Sequence, residues 1–174
     1  MPILDGEHGK VTVRISGGTI GNDYEAIYHT DLKQRGGNVF TGGMGRLTKL
    51  SGQVNDLWPR LGRSTNTELY VSGTAIIKGN VYGGGEFGSV LQDAKIDVSG
   101  GQIWRDVYGG GYGSDDVTSI GTLTPATDTT PAVEVSPMQW AGGVEGNTTI
   151  TVSGNAWIKK SVYGGGEIAS VGTS

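Results

Sequence analysis

The residues of this chain that could do chemistry are few and poorly matched to one another. His8 and His29 are the only histidines, and neither has a serine or aspartate at a spacing that builds a proton relay. An isolated histidine of this kind reads as a surface group. Glu86 and Glu167 are the residue type that cleaves glycosidic bonds in pairs. Each, however, stands at the same place of a recurring word, GGGEF and GGGEI, whereas a catalytic pair occurs once. No catalytic residue is therefore expected, and the chain reads as a non-enzyme.

Two glycine words imitate binding motifs. GGGEFG puts Gly83, Gly85 and Gly88 in the G-x-G-x-x-G register after a strand-like segment. A dinucleotide fingerprint also needs a helix to begin there, so that its amides face the pyrophosphate. The following SVLQDAKIDVSGG reads as another strand, and the word returns as GGGYGS and GGGEIA. No cofactor is expected. GGYGSDDVT, residues 110–118, completes the calcium nonapeptide with Asp115 as its acid and Val117 as its apolar position. Calcium takes about six to eight oxygens, drawn in such repeats from successive turns. The equivalent loops GGEFGSV, GGEIASV and GGMGRLT carry no aspartate. The expectation is no bound metal, with Asp115 and Asp116 as the place where a structural calcium would sit.

Charge and composition narrow the partners. Thirteen basic residues against seventeen acidic ones give a net charge of -4 without a basic stretch, so the field that nucleic-acid binders rely on is missing. No apolar run approaches the roughly 20 residues of a membrane helix. MPILDGEHGK has no apolar signal core, so an export signal of a secreted parent is expected outside this chain. Cysteine is absent, which removes disulfides, thiol catalysis and cysteine-held metals. Among the aromatics, Trp104 and Trp157 fall on the second strand of a unit, and Trp58 and Trp140 in insertions. Such indoles would suit sugar rings or a protein partner. Tyr82, Tyr108 and Tyr163, by contrast, recur at one place and are expected to pack on each other.

These residues are set in a repeat. VRISGGTI with GNVFTGGMG, LYVSGTAIIKGNVYGGGEFGSV, IDVSGGQIWRDVYGGGYGS and ITVSGNAWIKKSVYGGGEIASV share one pattern. It aligns Ser16, Ser72, Ser99 and Ser153, then Val39, Val81, Val107 and Val162, then Phe40, Tyr82, Tyr108 and Tyr163. From serine to valine the last three units measure 9, 8 and 9 positions, and the tightest period, Ser72 to Ser99, is 27 residues. Insertions at residues 21–37, 46–66 and 114–146 account for the longer periods.

Inside a unit, TELYVSG, KIDVSGG and TTITVSG alternate polar and apolar residues and stop at a Ser-Gly turn, the period-2 mark of a strand. AIIKGNVYG supplies a second short strand, and GSVLQ or ASVGT a third. Short strands and glycine turns at this period predict an all-β parallel β-helix (β-solenoid) of about four coils with inserted loops, one domain over residues 1–174. In such a stack each side chain meets its own equivalent. Ile20, Ile77, Ile103 and Ile158 should form a core column, and Asn38, Asn80, Asp106 and Ser161 a turn column whose side chains bond their own backbone. The serines of the SG word would donate along their column. The triple glycines 83–85, 109–111 and 164–166 are expected at corners with positive φ and close approach of neighbouring coils.

GNTTITVSGNAWIKKSVYGGGEIASVG and IDVSGGQIWRDVYGGGYGSDD resemble the repeat units of very large surface or secreted proteins of gut Bacteroidales and related anaerobes, in which SGG and VYGGG words alternate many times. The resemblance is loose over residues 8–20 and 36–45 and close over 66–116 and 141–172. SGT at Ser72 and SGN at Ser153 depart from its SGG word, and VFTGGMG from its VYGGG word. The resemblance implies an extracellular, adhesin-like stalk segment of a longer repeat protein, with no catalytic residues to carry over.

Function is then expected in the insertions, since loops carry binding more readily than scaffold columns. The expected partners are a host or bacterial surface protein or a glycan. The alternative is a carbohydrate-binding or carbohydrate-active β-helix. Open terminal coils are also expected to associate end to end.

Overall fold

A computed structural model describes residues 9–21, 36–46, 61–114, 122–124, 133–134 and 141–172. Among these the chain is all-β, without a helix. No helix there is long and apolar enough to cross a membrane.

The chain passes four times through the same three strands. The first pass is β1 (Val11–Ile15), β2 (Thr19–Ile20) and β3 (Val39–Phe40), and the second is β4 (Thr67–Val71), β5 (Ile76–Ile77) and β6 (Val81–Tyr82). The third is β7 (Ala94–Val98), β8 (Gln102–Ile103) and β9 (Val107–Tyr108). A separate antiparallel pair, β10 (Thr122–Thr124) with β11 (Val133–Glu134), precedes the fourth pass of β12 (Thr148–Val152), β13 (Trp157–Ile158) and β14 (Val162–Tyr163).

Equivalent strands pair in parallel and in register, giving three four-stranded sheets ordered β1-β4-β7-β12, β2-β5-β8-β13 and β3-β6-β9-β14 in a solenoid-like arrangement. Single bridges between Ser64 and Val90, Val90 and Val144, and Val144 and Val171 add a fourth ladder. The segment AIIKGNVYG is thus two strands rather than one, and GSVLQ and ASVGT contribute one bridging residue each rather than a strand. A bend at Gly79 splits that segment, and one at Lys159 and Lys160 splits its equivalent in the fourth pass, because the chain changes face there.

Alternation decides what lies inside. In β4 and β7 every second residue is buried: Thr67, Leu69 and Val71, then Ala94, Ile96 and Val98. Ile77 and Ile103 from the second sheet and Val39, Val81 and Val107 from the third complete one apolar core, with Ile20 and Ile158 packed at its ends. Completely burying each such side chain contributes about 1.5–3 kcal/mol. Along this core the stacking is like on like, as the repeat predicts.

The first corner explains why the units differ by one residue. The left-handed glycine is Gly73 or Gly154, with φ near 60°, where the word reads SGT or SGN. It is the next residue, Gly18 or Gly101, with φ of 78° and 80°, where it reads SGG. The departure from SGG is therefore matched to the spacing. The longer corner takes its left-handed residue one position earlier, and both forms return the following isoleucine to the same column.

Candidate functional site

Polar and aromatic columns at the second turn fix the scaffold. Asn38 Oδ1 accepts from the Asn80 amide at 2.8 Å, Asn80 Oδ1 from the Asp106 amide at 3.1 Å, and Asp106 Oδ1 from the Ser161 amide at 3.0 Å. These side chains bond the backbone of the next coil, not their own. The stacked amides of a parallel ladder lie closer to the side chain above than a local turn would.

One residue pair further on, the rings of Phe40, Tyr82, Tyr108 and Tyr163 stack at 4.6, 5.2 and 5.1 Å with interplanar angles of 8–12°. Each stacked pair is worth about 0.5–1.5 kcal/mol beyond its buried area. The fully buried Tyr82 accepts from Asn80 Nδ2 at 3.0 Å and donates to the carboxylate of Glu167, two coils away. Burial and then this carboxylate push the Tyr82 hydroxyl far above its ordinary acidity range. Burial pushes Tyr108 up to about 12, helped by the charge of Glu167. Glu167 is therefore tied to the ladder it borders. Its Tyr82 bond joins residues 85 apart, and the only sequence signal for it is that both belong to the same corner word.

The triple glycines serve clearance. None of Gly83–Gly85, Gly109–Gly111 or Gly164–Gly166 has positive φ, which corrects that expectation. A Cβ on Gly84 would lie 2.7 Å from the Gly111 nitrogen, and one on Gly110 2.8 Å from the Gly166 nitrogen. Backbone of the next coil occupies the space a side chain needs.

Positive φ belongs instead to the stems of the three insertions. The chain leaves at Gly21 and returns at Gly37 (φ 90° and 85°), leaves at Gly45 and returns at Gly62 (64° and 73°), and leaves at Gly113 and returns at Gly142 (84° and 65°). A Cβ on Gly21 would lie 2.8 Å from Gly37 Cα, one on Gly62 2.6 Å from the Gly45 nitrogen, and one on Gly142 2.6 Å from the Gly113 nitrogen. Each insertion is thus pinched at its base by two touching glycines that no larger residue could replace.

The insertions are correspondingly shorter than the words imply. Asn66 O accepts from the Val11 amide, Ser64 O from the Leu91 amide and Asn147 O from the Ala94 amide. Residues 63–66 and 143–146 therefore belong to the coils. Two of the stems, at Gly45 and Gly113, lie at the same corner two coils apart, a separation of roughly 9–10 Å. Between them the second coil closes the same corner with Gly88 alone, packed against Gly62 and Gly43.

A second feature lies on the outer side of the second sheet. Trp104 is held between Lys78 and Lys159, whose Nζ atoms are 5.1 and 5.5 Å from its ring, and its Nε1 donates to Gln102 Oε1 at 3.3 Å. Trp157 lies in register with Gln102 and is 49% exposed. The two indoles therefore stand in different columns, and only Trp157 presents much of its surface.

His8, His29, Trp58, Trp140 and the carboxylates Asp115 and Asp116 lie outside the described residues. Of the calcium nonapeptide, Gly110 to Ser114 are placed, with Gly113 serving as a stem. Among the described residues no group of three or more histidines, aspartates or glutamates could hold a metal ion. Glu86 is buried in the second coil, whereas Glu167 is exposed and bonded to Tyr82. No family model matches the chain, and no curated protein or solved structure matches it.

Proposed function

We propose that the chain is a parallel β-helix segment of a larger bacterial surface or secreted protein, non-enzymatic and adhesin-like, which presents its insertions to a surface protein or glycan. The observation that carries this reading is the separability of loop from scaffold. All three insertions leave and return through touching glycines, while coils without an insertion close at the same place. Sequence can then vary beyond each stem at little cost to the stack. The setting is proposed from the resemblance of the repeat words to those of large surface proteins of anaerobes, and the loops at the Gly45 and Gly113 stems would act together.

The test is to excise residues 22–36, 46–61 and 114–141, which leaves each first-coil or third-coil corner with the same number of residues as the uninterrupted ones. Full and excised chains are then compared on glycan and surface-protein arrays. Binding by the full chain that is lost on excision, with the far-ultraviolet β signal kept, is the expected result. Polysaccharide turnover abolished by one carboxylate substitution would overturn the non-enzymatic reading.

A carbohydrate-binding β-helix is the second reading, favoured by the half-exposed indole of Trp157 beside the Lys78–Trp104–Lys159 stack. A flat ring flanked by cations suits an acidic sugar. Glycan binding that survives excision of the loops and is lost in Trp157→Ala would select it.

A further inference from the structure

The turn that follows the second sheet gathers cations of the scaffold on one flank. Lys78, Arg105, Lys159 and Lys160 stand there in three successive coils, Lys159 and Lys160 exposed, Lys78 and Arg105 half-buried. Asp106 is the acid among them, and its Oδ1 accepts from the Ser161 amide at 3.0 Å. The outer side of the first sheet is different. Lys10, Arg14 and Lys95 are interleaved there with Glu68 and Asp97, and Lys10 pairs with Glu68 at 2.7 Å. A chain of net charge -4 thus carries one strip of unbalanced positive charge, whose field draws anions.

The strip has a fixed spacing. Trp104 of the third coil lies between Lys78 of the second and Lys159 of the fourth, whose Nζ atoms are 5.1 and 5.5 Å from its ring, inside the reach of about 6 Å of a cation–π contact. The indole therefore holds two long side chains in place, which leaves a ligand less rotamer freedom to remove. Two coils apart, these lysines are separated along the axis by roughly 9–10 Å. An ammonium carries three donors, enough to meet a ring and a ligand carboxylate together. Beside them Gln102 and Trp157 stand in register, an amide and an indole suited to sugar hydroxyls and ring faces.

Spacing selects among polyanions. Phosphates of one nucleic-acid strand recur about every 3.4 Å, and side chains on one face of an extended peptide about every 6.4–6.8 Å. A linear chain of pyranoses advances by about one coil spacing per ring, so acids on alternate rings recur at two coils. We propose that this flank binds a linear acidic polysaccharide laid along the axis of the stack, one acid group at Lys78 and the next at Lys159, with the intervening sugar against Trp104 and Gln102. Arg105 and Lys160 strengthen the field at the same turn. The site is on the side of the stack, so coils before or after these would lengthen it and not cover it. The proposal rests on the second reading above, a carbohydrate-binding β-helix, and adds the class of sugar, its direction and its charge spacing.

The test is isothermal titration at low salt with hyaluronan oligosaccharides, which carry a carboxylate on every second sugar. A tetrasaccharide, with two carboxylates, should bind the full chain at least about tenfold more tightly than a disaccharide. Lys78→Gln and Lys159→Gln should each weaken tetrasaccharide binding by about tenfold with the far-ultraviolet β signal kept. Lys95→Gln, on the first sheet, should change it by less than about twofold. The chain without its three insertions should bind as the full chain does.

An equal loss in Lys95→Gln, or a DNA oligonucleotide bound as tightly as the tetrasaccharide, would mean a general attraction of anions and would overturn the proposal. So would loss of binding on excision of the insertions, or a disaccharide bound as tightly as the tetrasaccharide. Neutral dextran bound as tightly as hyaluronan, and lost in Trp157→Ala, would overturn it while leaving the carbohydrate-binding reading in place. Binding of neither glycan at millimolar concentration would overturn both.

Discussion

At the scale of single residues, the same letter does different work according to what the neighbouring coil places beside it. Gly84→Ala drives a Cβ into backbone 2.7 Å away and should destabilise by on the order of 1–3 kcal/mol. Gly165→Ala, in the same word one end of the stack away, should be neutral or stabilising by about 0.4–1 kcal/mol in dilute solution, through the unfolded chain's lost freedom. Urea denaturation of the two variants at low protein concentration checks the contrast.

The tyrosines supply a pH dependence. Burial raises Tyr108 from 10.0 to about 12, and Tyr82 is raised beyond it by burial and the Glu167 carboxylate. Because the folded state holds these protons more tightly, their contribution is fully present below pH 10 and is lost as pH rises through 12. Phenolate absorbance should therefore lag the normal titration and appear together with unfolding. Replacement of Glu167 by Gln should let Tyr82 ionise earlier.

At the scale of elements, two-residue strands are stable only as rungs. β5 and β8 hold Ile77 and Ile103 fully buried between coils, whereas Ile158 in β13 is half-buried at the end of the stack. Ile77→Ala or Ile103→Ala should cost about 2–5 kcal/mol and Ile158→Ala clearly less. Measured at each site by hydrogen exchange, the loss should spread to adjacent coils before distant ones, because stability in a stack is a sum of neighbour interfaces. The insertions contribute little to that sum. Their excision between touching glycines should leave the thermal midpoint nearly unchanged, and a fall of more than about 10 °C, several kcal/mol for a chain of this size, would show that the loops brace the coils.

At the scale of the whole molecule, the stack is polar and asymmetric. Its first coil keeps Val39 and Thr41 buried while Val162 and Tyr163 of the last coil face solvent. The first and fourth described coils therefore present different surfaces. The outer face of the first sheet is closed in a different way. Lys10 and Glu68 pair at 2.7 Å, Tyr70 donates to Glu68 at 3.1 Å, and the Arg14 guanidinium sits 4.3 Å over the Tyr70 ring. Lys10 holds the Glu68 carboxyl below its usual range. Being at the surface, such pairs contribute little to stability.

Much of this was legible in the letters because in a parallel, in-register stack repetition is contact. Residues that align in the words Ile20/Ile77/Ile103/Ile158 or Phe40/Tyr82/Tyr108/Tyr163 align in space, so the sequence by itself determined the parallel strands, the four coils, the core columns and the aromatic ladder. Spacing alone did not reveal what depends on where backbone passes one coil away. Tertiary structure decided that the triple glycines give clearance while the loop stems and SG corners take the left-handed turns. It decided that Asn80 bonds the next coil, that Glu167 reaches across two coils to Tyr82, and that the insertions end several residues before the alternation of the words resumes. These are distances between segments far apart in the chain, fixed only when the coils stack.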